Sequence, residues 1–116
     1  MTASARIVPD LLADLGTLTI AQVQAAFAAG TLTSEDLARA SLAQVERLNG
    51  KYNAVIFPCD DALEQAREID RRRAAGEALG PLAGIPVVIK DTVDMVGYPT
   101  TAGWRFLSAQ AGGVDL

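Results

Sequence analysis

Lys90 is the residue best placed to do chemistry. It ends the apolar run Ile85, Pro86, Val87, Val88 and Ile89, and Asp91 and Asp94 follow it. A free lysine amine has a pKa near 10.4, so holding it neutral at pH 7 costs roughly 4.6 kcal/mol unless burial lowers that value. A strand apolar on both faces is one way to deliver the amine into a low-dielectric site, where it can accept a proton. The plainer alternative is that the strand stops at Ile89 and Lys90 snorkels to water beside Asp91. The other reactive groups are few. Cys59 is the single cysteine and histidine is absent, which removes disulfide frameworks, zinc sites of the usual ligand spacing and imidazole catalysis. Asp91 and Asp94 lack an evident third ligand. A hydrogen-bonding role that orients the loop or balances charge near Lys90 suits them better than a metal pair. No metal or cofactor is expected. Cys59, after Pro58 and without an obvious cation, reads as an inert buried thiol.

The elements that must position Lys90 are legible in the pattern upstream. Thr19 and Gln22 have the spacing of a capping box, Ile20, Val23 and Phe27 share a helical face, and Gly30 can supply a left-handed stop. A second helix follows "GTLT". Thr33 or Ser34 caps it, Glu35 and Asp36 sit where the dipole favours anions, and Leu37, Ser41, Leu42, Val45 and Leu48 line one side until Asn49 and Gly50 end it. "AVIF" at 54–57 reads as a short strand closed by Pro58. Asp60 or Asp61 then caps a third helix reaching about Ala75, with Ala62, Leu63, Ala66 and Ile69 facing a core and Gly76 as the stop. After the loop "EALGPLAG", "IPVVI" reads as a second strand. Strand, helix, strand is the grammar of an α/β layer. Two short strands and three helices make a poor closed domain, so the sequence reads as unfinished.

Composition sets the outer bounds. Half of the 116 residues are hydrophobic, about a fifth are charged, and the net charge is -4, which is globular and makes nucleic acid a poor partner on charge. "MTASARIVPD" lacks the basic segment and the apolar run of a signal peptide, and no run is long and apolar enough to span a membrane; the expectation is a soluble, cytoplasmic protein. "VVIK" is close to the V-A-I-K of protein kinases, but no G-x-G-x-x-G loop precedes it, and no phosphate-cradling G-x-x-x-x-G-K-[ST] occurs. "RRR" at 71–73 falls in the last turns of the third helix with Glu64 and Glu68 one turn back, so it reads as a solvated helix end. Trp104, Phe106 and Leu107 are expected to pack on a neighbouring layer.

Gly80, Pro81, Leu82, Ala83, Gly84, Ile85 and Pro86, then Lys90, Asp91, Asp94 and Gly97, and "PTTAG" at 99–103 together resemble the first conserved block of the amidase signature family. Ser34, Leu37, Ala40, Leu42 and Val45, followed by Asn49 and "NAV" at 53–55, are similar too. The resemblance implies an α/β/α sandwich with a mixed central sheet, of which this chain carries the N-terminal helices and first strands. It also implies amide hydrolysis by a Ser-cisSer-Lys triad with Lys90 as its lysine. In that family a neutral lysine takes a proton through the bridging serine, a second serine attacks the amide carbonyl, and backbone N–H groups hold the oxyanion. Ala83 stands where many members have histidine, and Trp104 where serine often follows the glycine. The family's two serines lie well downstream of its lysine, and Ser4, Ser34, Ser41 and Ser108 are not in that context. The expectation is therefore an arm over residues 1–18 and, over 19–116, the incomplete N-terminal part of a single amidase domain, inactive alone. Its partners would be a small-molecule amide and the rest of the amidase domain, with a homodimer admissible and no membrane. The alternatives are an amidotransferase subunit that acts on aminoacyl-tRNA and a non-catalytic helical interaction module.

Overall fold

The computed structural model describes residues 15–107; Ser4, Ser108 and most of the expected arm lie outside them. Two compact units are distinguished, one ending at Pro86 and the other beginning at Val87.

The first unit holds three helices. Helix α1 spans Ile20–Ala29, α2 spans Ser34–Tyr52 and α3 spans Ala62–Ala74. The start of α1 is fixed by the capping box foreseen from Thr19 and Gln22, and its end by Gly30 at φ 70, a left-handed turn that costs glycine little. Thr33, not Ser34, caps α2, through a second box in which the Thr33 side chain accepts from the Asp36 N–H and the Asp36 side chain from the Thr33 N–H. This helix is longer than the sequence suggests. It runs through Asn49 and Gly50 and stops at Tyr52, with Asn53 in the left-handed conformation. Asn49 has a different use: its amide donates to the Val55 carbonyl at 2.8 Å and accepts from the Val55 N–H at 2.9 Å, clasping the segment that leaves the helix. Asp61 precedes α3 but makes no side-chain cap; its carboxylate accepts from the Cys59 thiol at 2.9 Å. Cys59 is half-buried, not buried as expected.

Val23, Phe27, Leu32, Leu37 and Ala40 form the core, with Leu15, Leu18, Ala26 and Ile85 packed against it. Helix α2 packs on α3, and their contacts join the first turn of α2 to the later turns of α3, so the two run antiparallel. Ala38 of α2 and Ala66 of α3 are buried, and Leu42, Val45, Leu48, Leu63 and Ile69 are half-buried, as their spacing foretold. Ile20 is the exception, half in solvent at the first turn of α1.

The strands expected at 54–57 and 85–89 do not form, a correction to the sequence reading of those two segments. Among the described residues there is no strand, and pairing is limited to one isolated antiparallel bridge, Met95 with Tyr98. Residues 54–57 are irregular, and Ile85 to Lys90 follow a turn without pairing. Apolar alternation or runs can make a segment fit for a sheet, but a strand exists only when a neighbour accepts its ladder of hydrogen bonds. Ile85 packs against the core of the first unit, whereas Val87 and Val88, in the second, are 72% and 88% exposed. No described helix is long and apolar enough to cross a membrane.

Candidate functional site

Each unit holds a hydrogen-bonded construction of its own. In the first unit, the Gly80 to Pro86 loop is held by hydrogen bonds from both flanking helices. Gln24 of α1 donates to the Pro81 carbonyl, and Arg73 of α3 donates to the Ala83 carbonyl at 3.1 Å. Arg73 also donates to the Ser34 hydroxyl at 3.0 Å and to the Asp70 carboxylate at 2.9 Å, while its guanidinium lies 4.3 Å from the Phe27 ring centroid. Asp70 in turn accepts from the backbone N–H groups of Ser34 and Glu35, at 2.8 and 3.0 Å. These are orphan donors of the α2 start, which a carboxylate satisfies with the favourable sign for the helix dipole. Ser34 is fully buried at this junction, and Gly84, at φ +85, passes so near that any Cβ there would collide with its hydroxyl.

The reading of residues 71–73 as a solvated run therefore holds for Arg71 and Arg72, which pair with Glu68 and Glu77, and fails for Arg73. A guanidinium is the residue type for this task, since its planar fork serves three acceptors and an aromatic face at once. Its position three residues from Asp70 was readable; the partners on α2 and in the loop were not. Near the same helix starts, Glu35 receives hydrogen bonds from Arg39 and Arg67, which hold its carboxyl below the ordinary value of 4.5.

In the second unit Lys90 is exposed, and its carbonyl accepts from the Val93 N–H at 3.0 Å. The neighbouring Asp91 is the centre of a hydrogen-bonded loop. Its carboxylate accepts from the Thr101 N–H at 2.9 Å and from the Thr101 hydroxyl, and its carbonyl accepts from the Ala102 N–H at 2.9 Å. The Thr101 oxygen also accepts from the Gly103 N–H at 3.2 Å. Thr101 is buried, and Ala102 and Gly103 both have positive φ, 48° and 80°, so the chain turns sharply right after it. The Thr101 hydrogen bonds, with a smaller contribution from the Lys90 charge, hold the Asp91 carboxyl below its ordinary 3.8. The loop-orienting role expected of Asp91 is the one observed. Asp94 is exposed and joins no such set. Among the described residues no group of three or more Cys, Asp or Glu side chains is placed to hold a metal ion. Thr101 was quoted only within a motif; its role was signalled by a hydroxyl residue ten positions after an aspartate, which is too weak a pattern to read alone.

Of the serines considered, Ser34 is engaged by Arg73 and Ser41 donates to the Leu37 carbonyl at 2.8 Å; both are structural. Trp104 and Phe106 are largely exposed.

The family model described as Amidase matches residues 36–114, which include both loops and Lys90. The chain belongs to the amidase signature family. Among curated relatives, the A subunit of the glutamyl-tRNA(Gln) amidotransferase of Streptomyces coelicolor is 40% identical over 97 residues, 83% of this chain and 20% of the relative. The protein of that name from Chloroflexus aurantiacus is 43% identical over 98 residues, covering 84% and 20%, and that of Thermobifida fusca is 41% identical over 97 residues, covering 83% and 20%. This amidase-family chain thus spans about a fifth of the length of the curated relatives it matches. No solved structure matches it.

Proposed function

We propose that this chain supplies the lysine of a Ser-cisSer-Lys amide hydrolase, and that it does so as one part of a larger amidase domain. The observation that carries the reading is the placement of Lys90, in a member of the amidase signature family, at the end of an apolar run that the chain itself leaves uncovered. In this reading the run becomes a strand of the α/β/α sandwich with its mixed sheet. Burying the exposed parts of Val87, Val88 and Ile89 there contributes about 3–6 kcal/mol. That is of the same order as the roughly 4.6 kcal/mol needed to keep Lys90 neutral at pH 7. The neutral amine then accepts a proton from the bridging serine, which takes one from the nucleophilic serine as it attacks the amide carbonyl. The bridging serine next gives a proton to the leaving nitrogen and is reprotonated by the lysine, and water, losing a proton through the same relay, attacks the acyl group and frees the serine. Both serines are contributed by the remainder of the domain, and the 116-residue chain alone is inactive.

The names of the relatives favour a second reading within the same chemistry, membership of a complex that amidates aminoacyl-tRNA, with protein and RNA partners. Copurification of partner subunits with the tagged protein separates it from a free-standing hydrolase. The test of the lysine itself is carboxamide hydrolysis by the polypeptide read from the whole source gene and by its Lys90→Ala variant. Nearly all turnover should be lost with substrate affinity still measurable. A variant that keeps most of its kcat removes Lys90 from the reaction, and turnover by the 116-residue chain alone refutes the division of the triad.

A further inference from the structure

We propose that Thr101 and Asp91 act as positioning residues for Lys90, forming a clamp that sets where the lysine backbone sits; this rests on the proposed role of Lys90. Every polar group named next to that backbone is already committed. The Lys90 carbonyl is taken by Val93 and the Asp91 carbonyl by Ala102, while the Asp91 carboxylate accepts two hydrogen bonds from one residue, Thr101. Thr101 is itself fixed, because it is buried, accepts from Gly103, and has its carbonyl taken by the Trp104 N–H at 2.7 Å. The residue after the lysine is thereby tied to a loop ten positions away through three bonds, and two of them are charge-assisted, the stronger class. By contrast, the lysine side chain is exposed, and rotamer freedom of such a long stem is large. Fixing the backbone at its root is the means the chain offers for confining it. The threonine hydroxyl is the part of the clamp that no backbone group replaces.

The experiment uses the polypeptide read from the whole source gene, with Thr101→Val to remove the hydroxyl at similar shape, Thr101→Ser to restore it, and Lys90→Ala as reference. A serine-directed fluorophosphonate counts competent sites by its end-point and reports nucleophile activation by its rate. Thr101→Val should lower kcat and the fluorophosphonate rate by on the order of 10- to 100-fold per competent site with KM nearly unchanged. Thr101→Ser should recover to within about threefold of the parent, because the same hydrogen bond re-forms. If Lys90→Ala is inactive while Thr101→Val keeps the parent kcat per competent site, the clamp does not position the lysine and this inference fails alone. A loss confined to the number of competent sites makes Thr101 merely structural and overturns it too. If Lys90→Ala is active, the parent reading fails.

Discussion

Replacing Gly84 by alanine should strongly destabilise the first unit, because an added Cβ has no room there. The added Cβ would stand 2.2 Å from the Ser34 hydroxyl oxygen, 3.0 Å from its Cβ and 3.1 Å from an Arg73 guanidinium nitrogen, in a backbone at φ +85. The left-handed backbone alone costs a residue with a side chain about 1–2 kcal/mol. The clash can be absorbed by overpacking, at about 1–3 kcal/mol, or by turning the Ser34 hydroxyl away, which forfeits its charge-assisted bond from Arg73 at about 1.5–3 kcal/mol. Either route gives a total of about 2–5 kcal/mol, a large share of the stability of a typical domain. Urea unfolding followed by helical circular dichroism reads the loss, and Gly76→Ala is the matched control. Gly76 has nearly the same backbone, φ +76, with nothing within 4 Å of an added Cβ, so it should show the backbone cost alone. If Gly84→Ala unfolds at the same urea midpoint as Gly76→Ala, the close approach to Ser34 has no energetic content and the account of this junction is wrong.

Asp70→Ala should cost about 2–4 kcal/mol, because it leaves two N–H groups at the start of α2 and the Arg73 guanidinium without their carboxylate; thermal unfolding within a degree of the parent would contradict this. Acid should destabilise the fold from the carboxyl side. The carboxyls of Glu35, Glu77 and Asp91 are each held below their ordinary values, the first two by arginine hydrogen bonds and Asp91 by those from Thr101. Depressed carboxylates contribute stability that is present above the unfolded-state pKa and lost as pH falls through the folded-state pKa. Helicity should thus hold level from neutrality down to the ordinary carboxylate range near about 4–4.5 and decline below it, and Arg67→Met should raise the Glu35 pKa seen by NMR titration. A titration in which stability grows on acidification would reverse the assigned sign.

The helices were legible because their causes are local. Thr19 with Gln22, Thr33 with Asp36, and the glycines at 30 and 76 act within one turn of the residues they cap, so short-range spacing contains the information. The apolar faces of α2 and α3 follow from the same 3.6-residue period. The end of α2 was misplaced at Asn49, because an asparagine that could stop a helix was instead engaged with Val55, and nothing nearby distinguishes the two uses. The strand at 54–57 failed for a related reason, since pairing partners are not a property of the segment. The amidase family was legible in ordered motif residues from Ser34 to Gly103, and the family match covers residues 36–114.

What the sequence determined by itself is where helices begin, which residues they turn inward, and that a lysine follows an apolar run. What only the tertiary structure decided is that Arg73 leaves the basic run to bind Ser34, Asp70 and the Ala83 carbonyl, that Gly84 must lack a side chain, and that Asp91 belongs to Thr101. The division has one physical cause. Capping and periodicity are set by dihedral angles a few residues apart, whereas a hydrogen bond spanning 39 positions, as between Arg73 and Ser34, exists only once packing has brought its two ends within 3.0 Å.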